Sequence, residues 1–152
     1  VEFNKKIKME FPDLRPVTTN MLYATDFKTK RRFKSKAYKQ FEDMMTAYTD
    51  EKANEMFYFE VEFSPYEHVL EFDICIYIPH AEIFTKTGKM RSRRHDWDGF
   101  AKPIQDVLFK GFKEIDDSYI CDANVKKRVS SSDDFYFEIE LRIIDNSVLR
   151  IH

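Results

Sequence analysis

The chain has 152 residues, 43% hydrophobic and 16% aromatic, with only three glycines; this argues against disorder and a loop-rich disulfide scaffold and suits a single domain over 1–152. Cys75 and Cys121 sit in apolar runs with no second Cys or His at ligand spacing, which argues against structural zinc, and reduced, buried thiols are expected. The net charge of −2 hides an asymmetry: residues 1–40 hold 11 Lys/Arg against 4 Asp/Glu, leaving 14 against 23 for residues 41–152, and such a basic part implies a polyanionic partner.

In chain order, "KKIKMEF" alternates charged residues with Ile7, Met9 and Phe11, the period of a strand with one buried face. "PDLRPVTTN" reads as a loop, and "KTKRRFKSKAYK" is the densest run of positive charge. From Ser35, a helix N-cap by type, Tyr38, Phe41, Met45 and Tyr48 recur at three- and four-residue steps, which predicts a helix ending near residue 54. "EMFYFEVEFS" and "HVLEFDICIYIP" are rich in aromatic and branched residues around a short "PYE", and are expected to form a hairpin. "HAEIFTKTGKMRSRRH" keeps no period and is expected to be an exposed, mobile loop with five Lys/Arg side chains. Phe100, Ile104, Val107, Leu108 and Phe112 mark a second helix, with Pro103 acceptable within the first turn or so. "SYICDANVKKRV" and "DFYFEIELRII" are the last two strands, joined by the "SSSD" turn. The order is β-α-β-β-α-β-β, an α+β fold with one mixed sheet and two main helices on one face. The chain holds no apolar segment near twenty residues and no charged-then-apolar leader, so no membrane span, no secretion and a cytoplasmic location are expected.

The chemistry concentrates in "RRHDWDGFAKPIQDVLFKGFKEIDDSYI". A D-x-D triplet arises by chance roughly once in a chain with this much Asp, and taken alone it is better explained by a helix cap beside a solvated acid. Asp96 and Asp98 are more restrictive in company: Lys102 follows Asp98 by four residues, Asp106 follows by four more, and Asp116 and Asp117 come after the helix. Asp96 and Asp98 point to one side of an extended segment, in the positive potential of a helix's first turn. Lys102 lies one helical turn on. Asp117, at the start of the next strand, returns to the helix N-terminus if the chain packs antiparallel. An oxygen-only, carboxylate-rich set suits Mg²⁺, with Mn²⁺ as substitute. Such an ion activates water and offsets charge on a phosphate, where Lys102 adds a further positive charge. Asp106 is either a partner that orients Lys102 or a plain surface pair, Asp116 belongs to the turn, and His95 is a bystander or a phosphate contact.

This segment resembles the signature of the RusA-type Holliday junction resolvases: basic residues, D-x-D-N, a Lys four positions on, a helix and a D-D pair. Asp96, Asp98, Lys102, Asp106 and Asp117 match. "RPVTTNMLY" is similar to the family's Pro-rich segment that ends in Asn. The resemblance implies a small homodimer, common in prophages, that binds four-way junctions in DNA recombination and repair and makes paired, Mg²⁺-dependent nicks. It also implies that Asp96, Asp98 and Asp117 are the catalytic metal ligands and that Lys102 is essential. One position departs: Gly99 stands where the family has Asn, which keeps open a non-catalytic binder of branched DNA on the same scaffold. A metal-dependent phosphohydrolase acting on a small substrate is a third reading. No small-molecule cofactor is expected.

An anionic site attracts DNA only inside a positive frame, so Arg91, Arg93 and Arg94, then Lys30, Arg31, Arg32 and Lys34, are expected to contact phosphates, with solubility as the ordinary alternative. Phe27 and Phe33, within the first basic run, are expected in the core, with stacking on unpaired bases as the alternative.

Overall fold

A computed structural model describes residues 5–91 and 97–150, excepting the side chains of Trp97 and Asp98. The chain runs through β1 (Lys6–Pro12), a small hairpin of β2 (Tyr23–Thr25) and β3 (Arg32–Lys34), α1 (Lys36–Glu51), α2 (Ala53–Glu62), β4 (His68–Ile78), α3 (His80–Ile83), α4 (Trp97–Phe109), β5 (Ile120–Val129) and β6 (Tyr136–Asp145). The fold is α+β. Its mixed four-stranded sheet has the order β1-β6-β4-β5, and β2 and β3 pair separately.

Alternation decides the sheet's two faces. Ile7, Met9 and Phe11 of β1, Leu70, Phe72, Ile74, Ile76 and Ile78 of β4, and Phe137, Ile139, Leu141 and Ile143 of β6 are buried. Antiparallel register sets Phe11 opposite Phe137, their rings stacked at 4.6 Å. Onto this face pack Phe41 of α1, 6.2 Å from Phe137, and Phe109 of α4, 6.2 Å from Phe72. The opposite face is charged: Arg142 bridges Asp73 at 2.7 Å, Glu71 at 3.2 Å and also Glu140. This ties β4 to β6.

Four expectations need correction. Residues 55–64 do not form a strand: α2 occupies 53–62, separated from α1 by Lys52 alone. Met56 and Phe59 face the core three residues apart, whereas Phe57 and Val61, which a strand would bury with Phe59, are exposed. Phe59 packs on Phe112 and Phe63 on Tyr119, so contacts with distant residues override the strand preference of the run. The last two strands are not neighbours either. β4 lies between them because α4 supplies the crossover that parallel strands need, and β5 pairs parallel with β4. Residues 80–91 hold α3 and a turn closed by the Phe84–Met90 bridge; residues 92–96 lie outside the described ones. The thiols, both free, are half-buried at Cys75 and exposed at Cys121, because one sits on the sheet's charged face and the other on its edge strand.

Ser35 caps α1 as expected, accepting a hydrogen bond from the Tyr38 amide at 3.1 Å. Among the described residues no helix is long and apolar enough to cross a membrane.

Candidate active site

The buried face of α4 carries Phe100, Ile104, Val107 and Leu108, which turns Lys102, Gln105 and Asp106 toward the surface. Asp98 is the second residue of the helix, and position 98 shares a helical column with Lys102 and Gln105. Pro103 is the seventh residue, deeper than expected. Lacking an N–H, it withholds the ladder hydrogen bond from the Gly99 carbonyl, and the Thr19 hydroxyl donates to that carbonyl at 3.3 Å instead. The start of α4 is thereby docked on the turn that precedes the β2–β3 hairpin. A Cβ at Gly99 would meet Thr18 at 3.5 Å, ordinary contact, so crowding does not demand glycine here.

Asp117 reaches α4 through a connection built by another acid. The Glu60 carboxylate, at the end of α2, accepts backbone hydrogen bonds from Lys113 (3.2 Å), Glu114 (2.7 Å) and Ile115 (2.9 Å). Asp116 then caps the short 3-10 turn Asp117–Tyr119, accepting from the Ser118 amide at 2.9 Å and from the Ser118 hydroxyl. Those bonds hold its carboxyl below the usual range. Asp117 therefore sits in this turn, ahead of β5. Its Oδ2 accepts from Gln105 Nε2 at 2.6 Å, so it meets α4 well inside the helix. Lys102 Nζ lies 3.4 Å from Asp106 Oδ2. Lys102, Gln105, Asp106 and Asp117 thus share the outer face of α4.

Asp96 lies outside the described residues, as does the Asp98 side chain. Among the described residues no group of three or more His, Cys, Asp or Glu is placed to hold a metal ion. The chemistry of the donor set nonetheless fits a hard divalent cation: Asp117 is exposed, and the expected set of Asp96, Asp98 and Asp117 offers carboxylate oxygens alone.

The first basic run is a hairpin. Lys30 and Arg31 are exposed at its turn, and the Arg32 guanidinium lies 4.7 Å from the Tyr23 ring centre. Lys34 is already engaged: its Nζ reaches both oxygens of Glu42, at 3.0 and 3.1 Å. Lys110, just past α4, holds the same carboxylate at 2.5 Å. Burial pushes the Glu42 carboxyl up, but the hydrogen bonds and charges of Lys110 and Lys34 outweigh it and leave it below its ordinary value. Burial, followed by the charges of Glu42 and Asp106, raises the Tyr38 phenol beside them. Arg91 Nε donates to the Ala81 carbonyl at 2.7 Å; Arg93, Arg94 and His95 lie outside the described residues. Phe27 and Phe33 are not in the core, being 87% and 49% exposed.

Glu42→Gln should lower stability by about 1 kcal/mol at neutral pH, because it leaves Lys34 and Lys110 facing each other. A carboxyl depressed by folding stabilises fully above its ordinary value of 4.5, and that contribution fades as the pH falls through the lower folded value. Urea midpoints of the two proteins should therefore differ at neutral pH and converge in acid. A constant gap would show that the Glu42 charge is not what the lysines hold.

The family model for endodeoxyribonuclease RusA matches residues 13–142, from just after β1 almost to the end of β6. The chain belongs to the RusA endodeoxyribonuclease family. The match takes in the hairpin, α4, Asp117 and the Glu60 cap together. RusA-type enzymes are endodeoxyribonucleases of the Holliday junction-resolving class, so the chemistry is nuclease chemistry on branched DNA. Comparison with curated proteins returns no match.

Three residues that build this face were not foreseen. Gln105 lies three residues after Lys102, and helical register alone points to it. Thr19 adjoins Asn20 in the "RPVTTNMLY" segment. Glu60 had no signal, since it stands in a run read as a strand.

Proposed function

We propose that this RusA-family protein is a Mg²⁺-dependent, structure-selective endodeoxyribonuclease that works as a homodimer in the cytoplasm. It resolves four-way junctions in recombination and repair by paired, symmetric nicks. The carrying observation is that Gln105 holds Asp117 on the same face of α4 as Lys102 and position 98. Asp96, Asp98 and Asp117 are the ligands for the ion, and Mn²⁺ is its substitute. When bound, the ion polarises the phosphoryl oxygen and offsets the charge that develops on the phosphate. Lys102 places a second positive charge against that phosphate, and Asp106 holds Lys102 in position through their ion pair. Arg91, Arg93, Arg94, Lys30, Arg31 and Arg32 supply the positive frame, with Lys34 securing the hairpin root. Two copies place two such sites on opposing strands, which is what a symmetric junction requires.

Incubated with a synthetic four-way junction, the protein should nick it only when Mg²⁺ or Mn²⁺ is supplied, and should leave a linear duplex of the same sequence intact. Equal cleavage of both would remove the junction selectivity. Tight binding with no cleavage in either ion would make the protein a branched-DNA binder.

A further inference from the structure

The tip of the β2–β3 hairpin holds an aromatic ring where water should be. Phe27 is 87% exposed, and its neighbours Lys28, Lys30, Arg31 and Arg32 are all cationic and exposed. The tip is not slack. Asp26 Oδ1 accepts from the amides of Lys28 (2.8 Å) and Thr29 (3.3 Å), and Thr29 Oγ1 accepts from the Arg31 amide at 3.4 Å. Backbone bonds from Lys30 N to Asp26 O (2.8 Å) and from Asp26 N to Arg31 O (2.9 Å) close the turn. Lys30 takes a left-handed φ of 61° to complete it. The root is equally fixed: the Ser35 amide donates to the Leu22 carbonyl at 2.8 Å, and the Thr19 hydroxyl ties the preceding turn to Gly99 at the start of α4. Phe27 lies five positions beyond Leu22, so its Cα stands at most about 17 Å from that root.

A rigid apolar face ringed by cations fits one ligand chemistry, an aromatic base flanked by phosphates. Paired duplex buries both faces of every base in its own stack. A branch point does not. We propose that Phe27 stacks on an unpaired base at the centre of a branched DNA, with Lys28, Lys30 and Arg31 on the adjoining phosphates, and that this ring selects branched over linear DNA. The inference rests on the junction-nuclease reading above and assigns its structure selectivity to the hairpin. Because the turn is already ordered, little freedom is lost when the ring engages.

The test uses the full chain with divalent ions chelated, a four-way junction carrying 2-aminopurine at the branch point, and the matching linear duplex. Phe27→Ala should weaken junction binding by about tenfold or more, change duplex binding by less than about twofold, and abolish the change in 2-aminopurine fluorescence on binding. Phe27→Trp should preserve all three wild-type behaviours. An equal loss on both DNAs, no loss on either, or an altered sedimentation coefficient of the free Phe27→Ala protein would each overturn the proposal; the last would make the ring a contact between copies of the chain. If wild type prefers the junction and Phe27→Ala does too, only this inference fails. If wild type shows no preference, the junction reading fails with it.

Discussion

Asp117→Asn should slow junction nicking by on the order of a thousandfold while leaving the fold and junction binding unchanged. The side chain is exposed and its one described bond comes from Gln105 Nε2, a bond that an Asn amide oxygen can still accept, though more weakly than a carboxylate. What the substitution removes is the charge, which is needed only where a cation is held against a phosphate. Nicking rates from denaturing gels, binding with divalent ions chelated, and a urea midpoint for each protein separate these effects. A rate within about tenfold of wild type would take Asp117 out of the metal site. A collapsed urea midpoint would make it a structural residue of the turn.

Glu60→Ala should lower stability by about 2 kcal/mol and raise the Mg²⁺ concentration needed for half-maximal nicking. Its carboxylate binds three consecutive amides between α4 and Asp116, and without it that connection loses the feature that fixes the Asp117 turn against Gln105. Glu60→Gln keeps one acceptor oxygen and should fall between wild type and Glu60→Ala on both measures. Excess Mg²⁺ should recover much of the Glu60→Ala rate, because a displaced ligand weakens ion binding more than it changes the chemistry. A stability loss with an unchanged Mg²⁺ requirement would reduce Glu60 to a strut between α2 and the loop.

Much of this was legible because it depends on local pattern. The alternation of Ile7, Met9 and Phe11, the helical steps from Tyr38 to Met45 under a Ser35 cap, and the apolar stripe of α4 each follow from a single period. Residues 55–64 failed that test because Met56, Phe57, Tyr58, Phe59 and Val61 make a nearly continuous apolar run with no readable period. Only Phe112 and Tyr119, distant in sequence, decide which of them are buried. The place of β5 beside β4 is likewise non-local, since the "SSSD" link suggests a hairpin until α4 is recognised as the crossover. On α4, the Lys102–Asp106 ion pair was legible from i,i+4 spacing. The meeting of Asp117 with Gln105 was not, because it requires the Glu60 cap. Phe27 was misjudged for a related reason: a Phe in sequence looks like core, and only the Asp26 turn reveals that it is held outward.

The most direct measurement counts nicks on a synthetic four-way junction in Mg²⁺, with wild type and Asp98→Asn assayed for cleavage and for binding side by side. Wild type should place two nicks at symmetry-related positions on opposing strands, and Asp98→Asn should bind the junction with wild-type affinity and cut neither strand. A junction bound but uncut by wild type, or cut equally by Asp98→Asn, would contradict a metal-dependent resolving nuclease centred on these aspartates.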